Sequence, residues 1–281
     1  CKNTGEEGKD GESLYISSLT NGSQVILLRH GESTANQRFT QNSKITKDLN
    51  DQIFKQSDFD ETLRDAQLSD VGIAQCEAAQ AVANSLDIHT VITSPLRRAL
   101  QTTYHVFKTH PNFSKIKFVV LPDLRESLNI SSDVPVNIET LQEEFTALIP
   151  QLDFSELDKL DDKKHYAVSN LDPWIRDKVI ENLKPKEDDP CGSNMYDLLI
   201  EYALPFHPGA FESRWNMLDR TIRTKRFVKD YIEANAVPKS QKVVISAHFV
   251  ILYMYTGKWE REYSRDEVLP HPDTLLRLKN C

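Results

Sequence analysis

Short apolar runs separated by helical segments constrain the fold of this chain more than any other feature. Each run is rich in apolar and β-branched side chains, as is typical of strands covered on both faces. The runs are QVILL, TVITS, KFVVL and KVVIS. The order strand, helix, strand, helix, strand predicts a parallel sheet, because each return to the sheet requires a crossover connection. We therefore expect an α/β fold, a three-layer sandwich with a mostly parallel central sheet and helices on both faces.

Three parts of the sequence carry helix signals. In LSDVGIAQCEAAQAVANSL, residues 68–86, small and apolar side chains recur at steps of three and four, and Ser69 is placed to cap the helix start. Pro95 follows the second run and is expected to open another helix at its first position. A long amphipathic helix is predicted over residues 212–234. Its apolar side chains near helical spacing are Trp215, Leu218, Ile222, Phe227 and Tyr231.

Three other segments lack this alternation. Residues 1–22 are rich in Gly, Glu, Lys and Ser, which predicts a flexible N-terminal segment. Residues 37–61 are polar and irregular, which indicates a long loop or insertion above the first strand. From about residue 127 to 211, short helical pieces predict a mainly helical cap, inserted into a single α/β domain of residues 23–281. Prolines punctuate this cap at Pro135, Pro150, Pro173, Pro185, Pro190, Pro205 and Pro208.

Composition argues against several functions. The 281 residues carry a net charge of −8, so the chain lacks the excess of basic residues that general nucleic-acid binding requires. No apolar run approaches the ~20 residues of a membrane span, and none reads as a signal peptide. The four cysteines are widely spaced and show no zinc-binding pattern: Cys1, Cys76, Cys191 and Cys281. We interpret them as free thiols and expect a cytoplasmic protein with no nucleic-acid or membrane partner.

Ionisable side chains follow each of the four runs. They are Arg29 and His30 after the first, Arg97 and Arg98 after the second, Asp123, Arg125 and Glu126 after the third, and His248 after the fourth. Ligands of open α/β sheets bind at the carboxyl ends of the strands, so these side chains are expected to converge. A cationic cluster beside a carboxylate suits a tetrahedral phosphate, and Gly31 would let the backbone turn closely around it.

Each of these residues also has an ordinary interpretation. A lone histidine after a strand is usually a satisfied polar residue, and adjacent arginines at a helix start are usually solvated. The hypothesis therefore depends on their combination at successive strand ends. The other histidines are interpreted as ordinary loop or helix residues: His89, His105, His110, His165, His207 and His271.

Four motifs resemble those of the histidine phosphatase superfamily and occur in the same order along the chain. They are LLRHGESTAN, DAQLSDVGIAQ, SPLRRALQTT and LRES. A histidine after the fourth predicted strand adds to the resemblance. The resemblance is to the first branch, which includes cofactor-dependent phosphoglycerate mutases, and it covers residues 25–126 and 213–248. In the second branch, of acid phosphatases and phytases, the first motif continues as RHGxRxP and Asp follows the second histidine. This sequence has neither feature. First-branch members often have Gly after that histidine, whereas Phe249 follows here.

The resemblance implies a phosphoglycerate mutase-like fold and assigns roles to individual residues. His30 would be the nucleophile that forms a phosphohistidine. Arg29, Arg98 and His248 would hold the phosphoryl oxygens, with an amide contact from Asn36. Glu126 would protonate the leaving alcohol and later deprotonate the attacking water. Arg98 is assigned before Arg97 because the family's arginine directly precedes a small residue, here Ala99.

General chemistry is consistent with these roles. A neutral imidazole with a pKa near ~6.5 can attack phosphorus at physiological pH, and preorganised cations stabilise the transferring phosphoryl group. This chemistry calls for no metal or cofactor, and the chain has no Walker glycine loop that would indicate an ATP-driven reaction.

The favoured hypothesis is a phosphatase acting on a small phosphorylated substrate, with a protein substrate as an alternative. A mutase needs further cationic contacts for a bisphosphorylated intermediate, whereas the predicted cap is acidic in DFSELDKLDD and KEDDP. Mutase activity and an inactive binding scaffold stay open as alternatives. The cap aromatics would either line the substrate site or, as we favour, form the cap core. They are Tyr166, Trp174, Tyr196, Tyr202 and Phe206.

Overall fold

The central sheet has the mostly parallel arrangement predicted from the apolar runs. The computed structural model describes residues 16–18, 23–48, 51–160, 166–187, 189, 193–207 and 210–256. Within them the sheet has six strands, β1 (Ile16–Ser18), β2 (Val25–Arg29), β3 (Ile88–Thr93), β4 (Lys117–Val120), β5 (Leu152–Asp153) and β6 (Lys242–Ala247). Their order is β1-β2-β6-β3-β4-β5, and every neighbouring pair is parallel except β1 with β2. The predicted α/β class is confirmed.

Helices cover both faces of this sheet. They are α1 (Thr34–Ile45), α2 (Gln52–Asp58), α3 (Asp70–Ala78), α4 (Gln80–Asn84), α5 (Arg97–Phe107), α6 (Ile138–Thr146), α7 (Ser155–Asp158), α8 (Pro173–Asn182), α9 (Met195–Tyr202), α10 (Arg214–Ala234) and α11 (Phe249–Thr256). Alternate residues of a strand point to opposite faces. Thus Leu28 and Val244 pack in one core with α3 to α7, and Leu27 and Ile245 pack in a second core with α10 and α11. Two cores on one sheet make the three layers.

The helix boundaries differ from the sequence prediction in two places. The helix predicted over 68–86 is divided at Ala79, whose N–H is shared between the carbonyls of Gln75 and Cys76. Its predicted cap is confirmed, since the Ser69 side chain accepts the N–H of Gly72. Helix α5 begins at Arg97 and not at Pro95, because Asp65 from a distant loop accepts the N–H of Arg97 at 2.8 Å.

Most of the described residues of the polar segment 37–61 belong to helices α1 and α2, and the expectation of a long irregular loop is wrong. Ser33 and Asn36 form a capping box that starts α1. Helix α2 then packs back on α1 through Phe54, which is 2% exposed and contacts the ring of Phe39. The side chain of Asn42 also bonds to α2, at the carbonyl of Ile53 and the hydroxyl of Ser57. These tertiary contacts stabilise a helix pair of low mean hydropathy.

The segment predicted as a cap contributes to two cores. Its first part, through β5 and α7, adds Leu152 and Leu157 to the core of the central sheet. A separate third core lies mainly between residues 167 and 211, where α8 and α9 pack through Val179 and Leu199. Pro173 opens α8. Pro190 and Pro208 lie outside the described residues.

The predicted cap aromatics divide into two groups. Tyr166 and Tyr196 are buried core residues, and Tyr202 is partly buried against the third core. Trp174 and Phe206 are 45% and 60% exposed and pack edge to face on each other, so the core assignment is wrong for this pair.

Several further expectations concern the ends of the chain and single positions. Of the segment 1–22, predicted to be flexible, only Ile16–Ser18 is described, and these residues form β1. Cys76 is a buried free thiol, and Cys1, Cys191, Cys281, His165 and His271 lie outside the described residues.

The side chain of Ile222, predicted on the apolar face of α10, is 41% exposed. None of the described helices combines the length and apolar character needed to cross a membrane.

Candidate active site

The pairing of β2 with β6 brings two histidines together at the carboxyl end of the sheet. Arg29 lies opposite Ala247 in the parallel register, and the N–H of His30 continues the ladder to the carbonyl of Ala247 at 3.0 Å. His248 follows directly, and the centroids of the His30 and His248 rings are 5.0 Å apart. The predicted convergence of these two strand ends is therefore observed.

The local backbone fixes the protonation pattern of His30. Its Nδ1 lies 2.6 Å from the carbonyl oxygen of Gly31, which can only accept, so Nδ1 carries the proton. The lone pair is then on Nε2. Burial, together with the positive charges of Arg98 and Arg29, holds the pKa of His30 well below its ordinary value. His30 is thus a neutral imidazole with one defined basic nitrogen.

His248 is held by a serine at the end of β3. Its Nε2 lies 2.7 Å from the hydroxyl oxygen of Ser94, while its Nδ1 is buried with no hydrogen-bond partner among the described residues. Burial and the nearby charge of Arg98 lower the pKa of His248 well below its ordinary value. The sequence interpretation missed Ser94, although it is the first residue of the SPLRRALQTT motif.

Arg98 and Arg97 have the different environments expected of them. Arg98 is 4% exposed in the first turn of α5, and its positive charge reaches both histidines. It donates to the carbonyl of Ser132 at 2.6 Å and to the carboxylate of Asp133 at 2.9 Å. Arg97 instead pairs with Glu144 of α6 at a solvent-accessible position. Asp133 is a site carboxylate that the sequence interpretation did not identify.

Arg29 lies at the edge of the histidine pair and is only partly buried. Its Nε is nevertheless buried without a hydrogen-bond partner in the described part of the chain. Its guanidinium carbon is 5.4 Å from the centroid of the Phe249 ring. Arg29 thus contributes positive charge and an unpaired donor beside His30.

Glu126 has the environment of a proton donor. One carboxylate oxygen accepts the N–H of Ser127 at 2.8 Å, and the other accepts the N–H of Val250, in the first turn of α11, at 3.2 Å. Burial, followed by the negative charge of Asp133, raises the pKa of Glu126 to about 7. A carboxyl group with this pKa can both donate and accept a proton near neutral pH.

A buried ion cluster holds the segment that carries Glu126. Glu212 lies between Arg125 and Arg220, and all three side chains are fully buried. Arg220 also donates to the main-chain carbonyls of Asp123, Arg125 and Glu126 at 2.8, 2.8 and 3.2 Å. The two arginines hold the pKa of Glu212 at about 2, so it stays ionised. We call Arg125, Glu212 and Arg220 the buried clamp.

Two predicted residues are engaged outside the histidine pair. Arg125 belongs to the buried clamp, and Asp123 forms an ion pair with Arg223 of α10 at 2.8 Å. Their positions after a strand predicted that they lie in the phosphate site, but a position in the sequence does not determine which way a side chain points. Asn36 uses its Oδ1 in the α1 capping box, which leaves its Nδ2 able to donate.

Gly31 lies where the backbone after β2 comes very close to helix α3. A Cβ at this position would lie 2.6 Å from the carbonyl oxygen of Gly72 in α3, and one at Gly72 would lie 2.0 Å from the carbonyl oxygen of Glu32. The segment after β2 therefore packs directly on α3. Close backbone packing is sufficient to require the glycine, and the turn of the backbone around an anion stays a prediction.

Comparison with known proteins agrees with the motifs. Residues 25–130 match the model of the histidine phosphatase superfamily (branch 1), which confirms the resemblance over that segment. The matched segment contains Arg29, His30, Arg98 and Glu126, whereas His248 and Glu212 lie beyond it. No curated protein sequence matches the chain.

Several solved structures resemble this chain at low sequence identity. The ecdysone phosphate phosphatase of Bombyx mori is 15% identical, over 92% of this chain and 86% of that one, with a TM-score of 0.43. A phosphoglycerate mutase of Bacillus anthracis is 13% identical, over 82% and 76%, with a TM-score of 0.41. A mycobacterial glucosyl-3-phosphoglycerate phosphatase is 17% identical, over 82% and 75%, with a TM-score of 0.37.

Proposed function

We propose that this chain, whose residues 25–130 match branch 1 of the histidine phosphatase superfamily, hydrolyses phosphomonoesters through a phosphohistidine on His30. The observation that carries the proposal is the His30 ring. Its Nδ1 donates to the carbonyl of Gly31, which leaves the Nε2 lone pair for attack, and its lowered pKa keeps it neutral. A neutral, oriented imidazole beside two arginines is suited to nucleophilic attack on a phosphate dianion.

The first half-reaction transfers the phosphoryl group to the enzyme. The Nε2 lone pair forms a bond to phosphorus while the bond from phosphorus to the ester oxygen breaks. The electron pair of that bond stays on the ester oxygen, which takes the proton of Glu126 and leaves as an alcohol. The pKa of about 7 supports this role, because much of Glu126 is protonated at neutral pH.

The second half-reaction releases phosphate. Ionised Glu126 takes a proton from a water molecule, and the water oxygen attacks phosphorus. The bond from Nε2 to phosphorus breaks, and its electron pair returns to His30. Glu126 is protonated again, so both groups regain their starting states.

The phosphoryl oxygens are held by the groups beside His30 in this proposal. Arg29 and Arg98 supply positive charge, and the buried Nδ1 of His248 supplies a neutral donor when Ser94 donates its hydroxyl proton to Nε2. Asn36 can contribute its Nδ2. Since Asp133 already binds one edge of Arg98, that arginine is oriented before the substrate arrives.

Acidic side chains near the site favour a phosphatase over a mutase. Asp133 is 5% exposed beside Arg98 and Glu126. Asp58 in α2 is close enough that the charge of Asp133, after burial, raises its pKa. A second phosphate on the substrate or intermediate would be repelled by these carboxylates, so a small monoester is the proposed substrate class. A cytoplasmic location remains part of this proposal.

Phosphate release from a panel of phosphomonoesters, with EDTA and no added metal, tests the proposal. We expect release by the wild type and at least a ~1,000-fold loss in His30→Ala, since removing a nucleophile abolishes the covalent route. His110→Ala is the matched control, because His110 bonds to the carbonyl of Leu86 at the opposite end of β3.

Three outcomes would contradict the proposal. Equal release by wild type and His30→Ala would exclude His30 as the nucleophile. Interconversion of 3-phosphoglycerate and 2-phosphoglycerate with a bisphosphoglycerate primer would favour the mutase. Phosphate binding without turnover of any ester would favour the scaffold.

A further inference from the structure

Two exposed aromatic side chains stack at the start of α11. Phe249 and Tyr253 are 57% and 42% exposed, their ring centroids are 6.0 Å apart, and their planes differ by 13°. They are four residues apart on a helix and therefore lie on one face. Their neighbours Ile251, Leu252 and Met254 are buried in the second core, which fixes the direction of this face. We call Phe249 and Tyr253 the α11 platform.

The α11 platform adjoins the candidate active site through two contacts. The guanidinium carbon of Arg29 lies 5.4 Å from the centroid of the Phe249 ring. The N–H of Val250, the next residue, donates to the carboxylate of Glu126 at 3.2 Å. In the proposed reaction Glu126 protonates the ester oxygen, so the leaving alcohol must extend from a point beside the first turn of α11.

The charges around the α11 platform restrict what that alcohol can be. A cationic group stacked on Phe249 would be repelled by Arg29, whose guanidinium carbon lies 5.4 Å from the centroid of that ring. An anionic group close to the ester oxygen would be repelled by Asp133, because the negative charge of Asp133 acts on Glu126, which meets that oxygen in the proposed reaction. A planar uncharged ring can instead stack on the aromatic side chains and cover their exposed apolar area.

We propose that the α11 platform is the leaving-group subsite and that the substrate is a phosphomonoester of an uncharged aromatic alcohol. The inference rests on the proposed function, because it places the alcohol at Glu126. Phe249 and Tyr253 would touch the alcohol and not the phosphoryl group. They would thus determine which ester is preferred without taking part in the bond changes.

A ratio of two substrates tests the subsite. In the wild type, kcat/KM for 2-naphthyl phosphate is expected to exceed that for glycerol 2-phosphate. In Phe249→Ala and Tyr253→Ala this ratio should fall about 10-fold, as expected for losing an aromatic contact and its buried area. Phe249→Tyr should restore it. Val82→Ala is the matched control, because Val82 is 50% exposed on α4, away from the carboxyl end of the sheet.

Binding of two phosphonates, measured by calorimetry, makes the test independent of turnover. Benzylphosphonate and methylphosphonate share the phosphoryl-like group, so the effect of losing the Phe249 contact to Arg29 cancels in their affinity ratio. The inference predicts that Phe249→Ala lowers the preference for benzylphosphonate about 10-fold. The inference would be overturned if the preference for benzylphosphonate were unchanged in both alanine variants. It would also be overturned if the wild type had a higher kcat/KM for phosphocholine than for 2-naphthyl phosphate.

The two measurements separate the inference from the proposed function. Turnover of all esters with no aromatic preference would retain the phosphatase and reject the subsite. Absence of turnover combined with a Phe249-dependent preference for benzylphosphonate would reject the phosphatase and retain an aromatic phosphate-binding site.

Discussion

At the level of single residues, the proposed nucleophile and the proposed acid have different electrostatic surroundings. Burial, followed by the positive charges of Arg98 and Arg29, lowers the pKa of His30 and keeps it neutral. Glu126 lies near the negative charge of Asp133, and burial together with that charge raises its pKa to about 7. The ordinary pKa values of these two groups differ by about 2. The lowered pKa of His30 suits an attacking base, and the raised pKa of Glu126 suits a proton donor.

The pH dependence of kcat/KM follows from the raised pKa of Glu126. The first half-reaction needs protonated Glu126, so activity on an alkyl phosphate should decline as the pH rises through about 7. An ester of 4-nitrophenol, whose leaving group needs little protonation, should decline much less and serves as the control. Identical alkaline profiles for both esters would contradict the assignment of Glu126 as the acid.

Asp133 offers a direct test of the electrostatic cause. Asp133→Asn removes a negative charge near Glu126, which favours the ionised carboxylate and lowers its pKa. The decline of kcat/KM for the alkyl ester with rising pH should therefore begin at lower pH. A decline that stays in place would show that burial alone sets the pKa of Glu126.

The adjacent arginines provide a matched pair for testing phosphoryl binding. Arg98→Ala should lower kcat/KM by about 100- to 1,000-fold, as for the loss of one preorganised charge at the transition state. Arg97 pairs with Glu144 at a partly exposed position, so Arg97→Ala should change kcat/KM less than about 3-fold. Initial rates of both variants on one ester measure the difference. Equal losses in the two would refute the assignment of Arg98.

At the scale of secondary-structure elements, the packing of α3 on the segment after β2 controls the position of His30. A Cβ at Gly72 would lie 2.0 Å from the carbonyl oxygen of Glu32, which is backbone and cannot rotate away. Gly72→Ala should therefore lower the free energy of unfolding by about 3 kcal/mol. Urea denaturation measures this loss.

The neighbouring residue on α3 provides the control for Gly72→Ala. Val71 is 44% exposed, so Val71→Ala should change the free energy of unfolding by less than about 0.5 kcal/mol. A loss in Gly72→Ala as small as that of the control would mean that α3 can move away without cost.

The strands were predictable from the sequence, whereas several helix boundaries were not. Strand positions follow from short apolar runs, which are a local signal. The start of α5 depends on Asp65, which is 32 residues from Arg97, and α1 and α2 depend on mutual packing through Phe54. Such contacts between distant residues leave no mark in a local pattern.

The same distinction applies to the candidate site. Arg29, His30, Glu126 and His248 were predictable because they follow apolar runs, and the structure brings them together. Asp133 was missed because it reaches Arg98 from 35 positions away, and Glu212 because it meets Arg125 across 87. Arg125 was assigned to the wrong neighbourhood, since a strand end fixes a position and not a side-chain direction.

At the scale of the whole molecule, the buried clamp connects the acid, the start of α10 and the third core. Glu212 accepts from both clamp arginines and also from the N–H of Leu128, a residue of the third core. Glu212→Gln would leave two buried arginines without a balancing charge. Its free energy of unfolding should fall by about 3–5 kcal/mol at pH 7, as for a broken buried ion pair.

The pH dependence of that loss has a defined sign. The pKa of Glu212 is lowered from 4.5 to about 2 in the folded protein, so its stabilisation is complete above pH 4.5 and declines as the pH falls towards 2. The difference between wild type and Glu212→Gln in urea denaturation should be smaller at pH 3 than at pH 7. Glu233→Gln, an exposed change at the end of α10, should show little difference at either pH. A difference for Glu212→Gln that does not depend on pH would contradict the clamp.

The proposed reaction requires that His30 carries the phosphoryl group during turnover. Rapid quenching with ³²P-labelled 4-nitrophenyl phosphate, whose leaving group needs little protonation, tests this requirement when it is followed by peptide mapping under alkaline conditions that preserve phosphohistidine. We expect an acid-labile label on His30 that is present in Glu126→Gln and absent in His30→Ala. Label on His248, or phosphate release without any labelled enzyme, would contradict it.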